Sequence, residues 1–126
     1  MLTAGLLALS ACVPPAPVAQ TPVLQAAATE GGDYAEQRCA ACHAITLTGA
    51  SPLPKAPPLR DLFKRYARDD LRDAFMNGTH VGDPAMPAFH MSAEEADRLV
   101  AYLRSIDPCA QPSEDRASME RCFAPL

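Results

Sequence analysis

Residues 38–44 read RCAACHA, and the interpretation of the whole chain depends on this stretch. It places two thiols, those of Cys39 and Cys42, and the imidazole of His43 within five positions. Such a group could be half of a zinc site, a redox dithiol, or a site that needs both thiols and the imidazole together. The rest of the sequence separates these three possibilities.

Two common uses of paired cysteines fit this chain poorly. A structural zinc site of this type needs a second pair of ligands. The other cysteines are Cys12, in an apolar N-terminal run, and Cys109 with Cys122, whose spacing is poor for such a site. A thioredoxin-like dithiol stands at a helix N-terminus in a βαβ unit, whereas this motif closes a predicted helix in a chain without strand patterns. Both interpretations are therefore disfavoured.

The pattern C-x-x-C-H is the attachment pattern of c-type haem. Two thiols add across the two vinyl groups of one porphyrin edge, and one helical turn between the thiols suits that separation. The next residue then directs its imidazole to the iron. We therefore interpret Cys39 and Cys42 as covalent attachment sites for one haem and His43 as an axial ligand of its iron. The haem also supplies apolar bulk to a small chain in which 6% of the residues are aromatic and tryptophan is absent.

The second axial ligand must come from further along the chain. The candidates are Met76, His80, Met86, His90, Met91 and Met119. Met86 is favoured because Pro84 and Pro87 flank it, and Pro87 restricts its backbone; Met76 falls in a helical pattern and is expected in the core. A thioether ligand raises the reduction potential relative to a second histidine. Because both axial positions would then be filled, the sequence indicates electron transfer rather than catalysis.

The N-terminus indicates export. Residues 6–12 read LLALSAC, which resembles the bacterial lipobox, so we expect a signal peptide over residues 1–11 and a lipid on Cys12. The run is too short to span a bilayer. No Lys or Arg precedes it, and an ordinary secretory signal or a chance apolar N-terminus are the alternatives. We expect the protein on the periplasmic side of a bacterial membrane, either lipid-anchored or, as the alternative, soluble in the periplasm.

Residues 12–29 are rich in Pro, Ala and Gln, and are expected to form an extended tether. The prolines that argue against a regular helix there are Pro14, Pro15, Pro17 and Pro22. The tether would hold the folded domain away from the membrane.

The domain itself, residues 30–108, shows helical periodicity and no alternation typical of strands, so an all-α fold is predicted. Gly31 and Gly32 are expected to precede a short helix that Asp33 caps and that runs into Cys39. The apolar positions at helical spacing further along are Leu59, Leu62, Phe63 and Tyr66, then Leu71, Ala74 and Phe75, and finally Ala96, Leu99, Val100 and Leu103.

Cap signals mark the ends of the later helices. Asn77-Gly78 is expected to end one helix through a left-handed glycine, and Ser92 with Glu95 forms a capping box at the start of the last. The stretch between these two signals has proline and glycine at short intervals and is expected to be irregular.

Taken together, these features resemble a class I c-type cytochrome of the short bacterial, monohaem subgroup, over residues 31–106. The segments that carry the resemblance, in order, are GGDYAEQRCAACH, KAPPLRDL, AMPAF and SAEEADRLVAYLRSI. The resemblance implies a small cytochrome c fold, in which the N- and C-terminal helices cross near Gly31, Tyr34 and Tyr102 around a covalently bound haem.

The resemblance also implies roles for particular residues. The two motif cysteines would bind one haem c covalently, and His43 and Met86 would ligate its iron. Pro57 would place its carbonyl against the other ring nitrogen of His43 and so orient the imidazole. Pro54 and Pro58 are alternatives for that role.

The tail, residues 109–126, departs from the short family pattern. It adds Cys109 and Cys122 beyond the last predicted helix. In an exported protein a disulfide between them is expected, and two unpaired or intermolecular thiols are the alternative.

The expected function is single-electron transfer between periplasmic or membrane redox proteins, without enzymatic activity or a small-molecule substrate. The alternatives are a haem enzyme or gas sensor with an open distal site, and a fixed electron-transfer subunit of a larger oxidoreductase complex. The net charge of −4 argues against nucleic-acid binding. The central cations are either a solvated helix face or a docking patch for an acidic partner. These are Lys55, Arg60, Lys64, Arg65, Arg68 and Arg72.

Overall fold

The computed structural model describes residues 22–78 and 86–110 together with Glu120 and Cys122. These residues form three α-helices and one 3₁₀ helix, and none of them lies in a β-strand. The elements are α1 (Pro22–Arg38), the 3₁₀ helix (Leu59–Lys64), α2 (Arg68–Asn77) and α3 (Ala93–Ser105). The predicted all-α fold is confirmed. No helix in this described part of the chain is both long and apolar enough to cross a membrane.

Helix α3 lies at the centre of the fold and packs against α1, α2 and the 3₁₀ helix. Its predicted apolar face is buried in full, and consists of Ala96, Leu99, Val100 and Leu103. The predicted capping box is also present: the backbone N–H of Ser92 donates to Glu95 Oε2 at 2.8 Å, and Ser92 Oγ accepts from the Glu95 backbone N–H at 3.3 Å. The predicted apolar face of α3 and its predicted N-terminal cap are therefore both present.

Helices α1 and α3 approach most closely at Gly31. A Cβ atom on Gly31 would overlap the backbone carbonyl of Arg98 and lie 2.9 Å from Tyr102 Cβ. An ion pair of 2.8 Å between Arg98 Nε and Glu30 Oε2 spans the same contact. Tyr34 packs against the adjoining core. The predicted crossing of the first and last helices near Gly31, Tyr34 and Tyr102 is confirmed.

The start of α1 corrects the sequence prediction. The helix begins at Pro22, inside the predicted tether, rather than at a cap on Asp33. Proline is accepted in the first helical turn because the N–H that it lacks has no helical partner there. The glycines that were interpreted as the break before the helix lie inside it, and α3 packs against them. The remaining residues of the predicted tether, 12–21, and the predicted signal peptide, 1–11, lie outside the described residues.

The segment that starts at Leu59 is a short 3₁₀ helix rather than the predicted α-helix. Two prolines precede it and α2 begins only four residues after it ends, so the segment serves as a connector, which is a common use of 3₁₀ structure. Leu59 is buried, and Leu62 and Phe63 pack against the core. Tyr66 lies beyond the 3₁₀ helix and is 37% exposed, so its predicted place on the apolar face was wrong.

Helix α2 ends at Gly78, whose φ of +78° requires glycine, as the Asn77-Gly78 signal predicted. Leu71 and Phe75 are buried on its inner face, and Ala74 is half-buried. The chain that leads into α3 runs beside the end of α2. There the backbone N–H of Met91 donates to the Phe75 carbonyl at 3.1 Å.

The close helix contact makes a stability prediction for the two glycines. Gly31→Ala should lower the free energy of unfolding by about 1–3 kcal/mol, because the added methyl group meets backbone atoms that cannot move aside. Gly32→Ala is the matched control: its methyl group would meet only the ring of Tyr102, which can rotate, and alanine gains about 1 kcal/mol in helix propensity. Chemical denaturation of the two variants measures the difference. Equal losses in both variants would contradict a close approach at Gly31.

Candidate haem site

The motif forms a single tight turn directly after α1. The backbone N–H of Cys39 continues the helical pattern by donating to the Ala35 carbonyl at 2.8 Å. The N–H groups of Cys42 and His43 then both donate to the Cys39 carbonyl, at 3.1 and 2.9 Å. Cys39, Cys42 and His43 are all half-buried. The helix end therefore fixes the backbone from which the two thiols and the imidazole project.

The two thiols are not joined to each other. Burial raises the pKa of the Cys39 thiol, and the neighbouring Cys42 raises it further. A redox dithiol of the thioredoxin type needs a lowered thiol pKa, so this environment disfavours that interpretation. Within residues 22–78 and 86–110, no group of three or more His, Cys, Asp or Glu is placed so that it could hold a metal.

The imidazole of His43 is held by one strong contact. Its Nδ1 lies 2.7 Å from the carbonyl oxygen of Pro57. Because a carbonyl can only accept, Nδ1 carries the proton and donates it, which leaves the lone pair on Nε2. The carbonyl in this position belongs to Pro57 rather than to Pro54 or Pro58, the two alternatives from the sequence. Metal-binding histidines commonly have this arrangement, with one nitrogen bound to a carbonyl and the other to the metal.

The loop between His43 and Pro57 is fixed to the motif along its length. The Ala44 N–H donates to Ser51 Oγ at 3.0 Å, and the Ala44 carbonyl accepts from the Leu59 N–H at 2.9 Å. The Cys42 carbonyl accepts from the Leu53 N–H at 3.1 Å. These bonds join both ends of the loop to the residues that flank His43. They hold the Pro57 carbonyl at a constant position relative to the imidazole.

Two further residues fix this loop, and neither role has a direct signal in the sequence. The Tyr102 hydroxyl donates to the Ile45 carbonyl at 2.7 Å, although the sequence placed Tyr102 only at the predicted helix crossing. The Arg60 guanidinium donates to the carbonyls of Thr46 and Gly49, at 3.2 and 2.9 Å. In the sequence Arg60 was one of several central cations, and only the folded loop shows what it binds.

The candidates for the second axial ligand differ in their surroundings. Met91 is 5% exposed and belongs to the hydrophobic core, and His90 is exposed. Met76 is half-buried against the core as expected, and its sulfur accepts from Arg72 Nη1 at 3.1 Å. Met86 is half-buried in a bend of the segment that returns to α3. The positions of His80, Pro84 and Met119 fall outside the described residues.

The residues present fit a covalently attached haem. Two separate thiols lie on one turn, and the Nε2 lone pair of the adjacent histidine is left for a metal. Several apolar side chains that are only partly buried pack against the core. They are Ile45, Leu62, Phe63 and Phe89, together with Cys39 itself. Partly buried apolar side chains of this kind suit the flat, mostly apolar face of a macrocycle.

The tail cysteines are joined. Cys109 and Cys122 form a disulfide with their Cα atoms 5.3 Å apart. The Cys109 N–H donates to the carboxylate of Asp107, a buried residue directly after α3, at 2.9 Å. The bridge therefore fastens the tail to the end of the central helix. Cys12, the predicted lipidation site, lies outside the described residues.

Comparison with known protein families agrees with this geometry. The cytochrome c family model matches residues 28–107, which is more than half of the chain. The chain belongs to the cytochrome c family. No match was found among curated proteins or among solved structures. As a cytochrome c, the protein carries covalently bound haem c with its iron and functions in electron transfer with redox protein partners.

The two attachment cysteines make separable predictions. Cys39→Ser should keep the haem bound through Cys42 alone, so that one vinyl group of the haem stays unreacted. The haemochrome band in alkaline pyridine should therefore shift to longer wavelength. In the double variant Cys39→Ser, Cys42→Ser, acidified acetone should extract the haem completely. Cys109→Ser is the matched control and should change neither result, because that thiol belongs to the tail disulfide. Haem that resists extraction from the double variant would contradict attachment through this motif.

Proposed function

We propose that the protein is a monohaem electron carrier whose iron is ligated by His43 and Met86, and that it transfers single electrons between redox proteins at the periplasmic side of a bacterial membrane. The observation that carries the proposal is the hydrogen bond of 2.7 Å between His43 Nδ1 and the Pro57 carbonyl. When bound, the haem supplies one-electron redox chemistry. The residues of this chain determine how the iron is held and what can reach it.

His43 acts as the proximal ligand through Nε2. The bond from Nδ1–H to Pro57 fixes the tautomer and the ring orientation, and it increases the electron donation of the imidazole toward the metal. Because several backbone hydrogen bonds hold the Pro57 loop, the imidazole would keep one orientation toward the metal. A rigid ligand of this kind suits rapid, repeated electron transfer.

Met86 acts as the distal ligand. Among the described competitors, Met91 is packed in the core, Met76 accepts a hydrogen bond from Arg72, and the exposed His90 has its ring beside Gly78. Two contacts with α2 hold the segment that follows Met86. Phe89 packs on Phe75 with ring centroids 6.0 Å apart, and the Met91 N–H donates to the Phe75 carbonyl. Methionine and histidine together give a higher potential than two histidines. If His43 and Met86 both hold the iron, neither substrate nor dioxygen would have a vacant site on it.

The ligation makes a spectroscopic prediction. Met86→Ala should abolish the iron–thioether charge-transfer band of the ferric protein. It should also lower the reduction potential by a sizeable part of the range of roughly 0.8 V that axial ligands span. The reduced variant should bind carbon monoxide rapidly, and the reduced wild type should not.

Two methionine variants serve as controls for Met86→Ala. Met76→Leu and Met91→Leu conserve volume in or beside the core and should retain the band and the potential. Retention of the band in Met86→Ala would contradict Met86 as ligand. Rapid carbon monoxide binding by the reduced wild type would favour the haem enzyme or gas sensor instead of the carrier.

The proposed location rests on the N-terminal sequence. Residues 6–12 resemble a lipobox, and covalent c-type haem is assembled in bacteria on the exported side of the membrane. A lipid on Cys12 would keep the carrier near membrane-bound donors and acceptors. The residues between Cys12 and α1 would set how far the domain reaches.

Lipidation can be tested independently of the haem. The wild-type protein should fractionate with the membrane and incorporate a radiolabelled fatty acid. Cys12→Ser should abolish that incorporation, because the lipid would be attached through this thiol. Haem content and the ferric spectrum should not change. A wild-type protein that already fractionates as a soluble periplasmic protein would contradict the anchor.

A further inference from the structure

The loop that follows the haem motif exposes two leucines. Leu47 is 48% exposed and Leu53 is 38% exposed. Single exposed apolar side chains are ordinary on a protein surface. These two differ because they lie on one loop, residues 44–58, and because the loop is hydrogen-bonded to the haem motif.

Leu47 is presented by a backbone that is already fixed. The carbonyls of Thr46 and Gly49, which lie on either side of Leu47, accept both bonds from Arg60. The Tyr102 hydroxyl binds the carbonyl of Ile45 on the same stretch. A loop that is ordered in advance loses little conformational entropy when a partner covers it. An exposed leucine on such a loop is suited to forming a contact.

Leu53 connects this loop to the redox group. Its N–H donates to the carbonyl of Cys42, one of the two residues that attach the haem. A protein that covered Leu53 would therefore lie next to the attachment edge of the haem. This is the position that a transient electron-transfer partner needs.

The charge of the loop is opposite to the charge of the protein. The loop, residues 44–58, contains Lys55 and no Asp or Glu, whereas the whole chain has a net charge of −4. The Arg60 guanidinium lies on the loop, although Arg60 itself belongs to the 3₁₀ helix, where Asp61 follows it. Lys55 is exposed. Two of the other central cations are paired: Lys64 with Asp61 at 3.1 Å, and Arg72 with Asp97 at 2.6 Å. The positive charge beside the two leucines is thus not offset by acidic residues within the loop.

We propose that Leu47 and Leu53, flanked by Lys55 and Arg60, form the surface on which an acidic redox protein with an apolar contact patch docks. We name this surface the Leu47–Leu53 face. The proposal rests on the electron-transfer function proposed above and names the partner chemistry for it. In a productive encounter one electron passes between the partner's redox centre and the haem, and no bond is formed or broken.

The test uses the haem-loaded full chain and a defined acidic partner, an oxidised plant-type [2Fe–2S] ferredoxin. Amide chemical shifts of the ¹⁵N-labelled cytochrome are followed during titration, which gives both the contact surface and the dissociation constant without any turnover. The shifts should cluster within residues 44–60. Leu47→Ser and Leu53→Ser should each raise the dissociation constant by about three- to tenfold, because each removes apolar area from the contact.

The salt dependence separates the local charge from the net charge. If the face directs binding, raising the ionic strength should weaken the complex, because Lys55 and Arg60 attract the acidic partner over a short range. Net charge alone predicts the opposite, since both proteins are acidic and salt would screen their repulsion. Lys55→Glu should remove most of the salt dependence, and Lys55→Arg should preserve it.

Leu24→Ser is the matched control, since Leu24 is 53% exposed but lies near the start of α1. It should leave the dissociation constant within about twofold of the wild type, while all variants keep the same haemochrome spectrum and reduction potential. Equal effects of Leu24→Ser and Leu47→Ser, or shifts centred outside residues 44–60, would overturn the docking surface alone. A purified chain without covalent haem would overturn the proposed function, and the inference with it.

Discussion

The close crossing of α1 and α3 at Gly31 is the contact on which the rest of the structure depends. At this point the backbone of α1 lies directly on the Arg98 carbonyl and on Tyr102 of α3, so the two helices have one possible spacing and register. The haem motif begins at the end of α1, and its position relative to the central helix follows from the crossing. Tyr102 then joins the crossing to the site, since its hydroxyl binds the Ile45 carbonyl two residues after His43.

This arrangement explains how a small apolar core can be sufficient. A domain of this size buries a modest fraction of its surface, and it benefits from covalent or cofactor support. The core described here is centred on α3, and several apolar side chains at its border, among them Ile45 and Phe63, are only partly buried. Side chains of this kind would gain burial from a haem packed beside them. The disulfide between Cys109 and Cys122 is a covalent link additional to the haem, and it lies just beyond the C-terminal end of α3.

Much of the fold and the centre of the site could be predicted from sequence because their signals are local. Helix α3 has a capping box and an apolar face within one continuous segment, and the haem motif is contiguous. The errors came where the deciding contact is distant in sequence. Gly31 looks like a helix break unless one knows that α3 packs against it. Similarly, Arg60 has no visible role until the loop that contains Thr46 and Gly49 is folded beside it.

The same distinction applies to the surface. From sequence, the central cations could be either a solvated helix face or a docking patch, because a charge count does not show which cations are already paired. In the structure the Arg72 guanidinium holds the pKa of the Asp97 carboxyl below its usual range, and Lys64 is paired with Asp61. Such pairs contribute little to long-range attraction, because their fields largely cancel.

What remains near the haem motif is a small cationic and apolar loop on an acidic protein. A contact of this kind favours fast encounter over tight binding, because charges at the rim mainly raise the association rate and a small apolar centre limits the affinity. An electron carrier needs both properties, since it must leave each partner before it can serve the next. The rigidity that Arg60 and Tyr102 give to this loop therefore serves two purposes. It holds Pro57 against His43 on the inner side, and it holds Leu47 in place on the outer side.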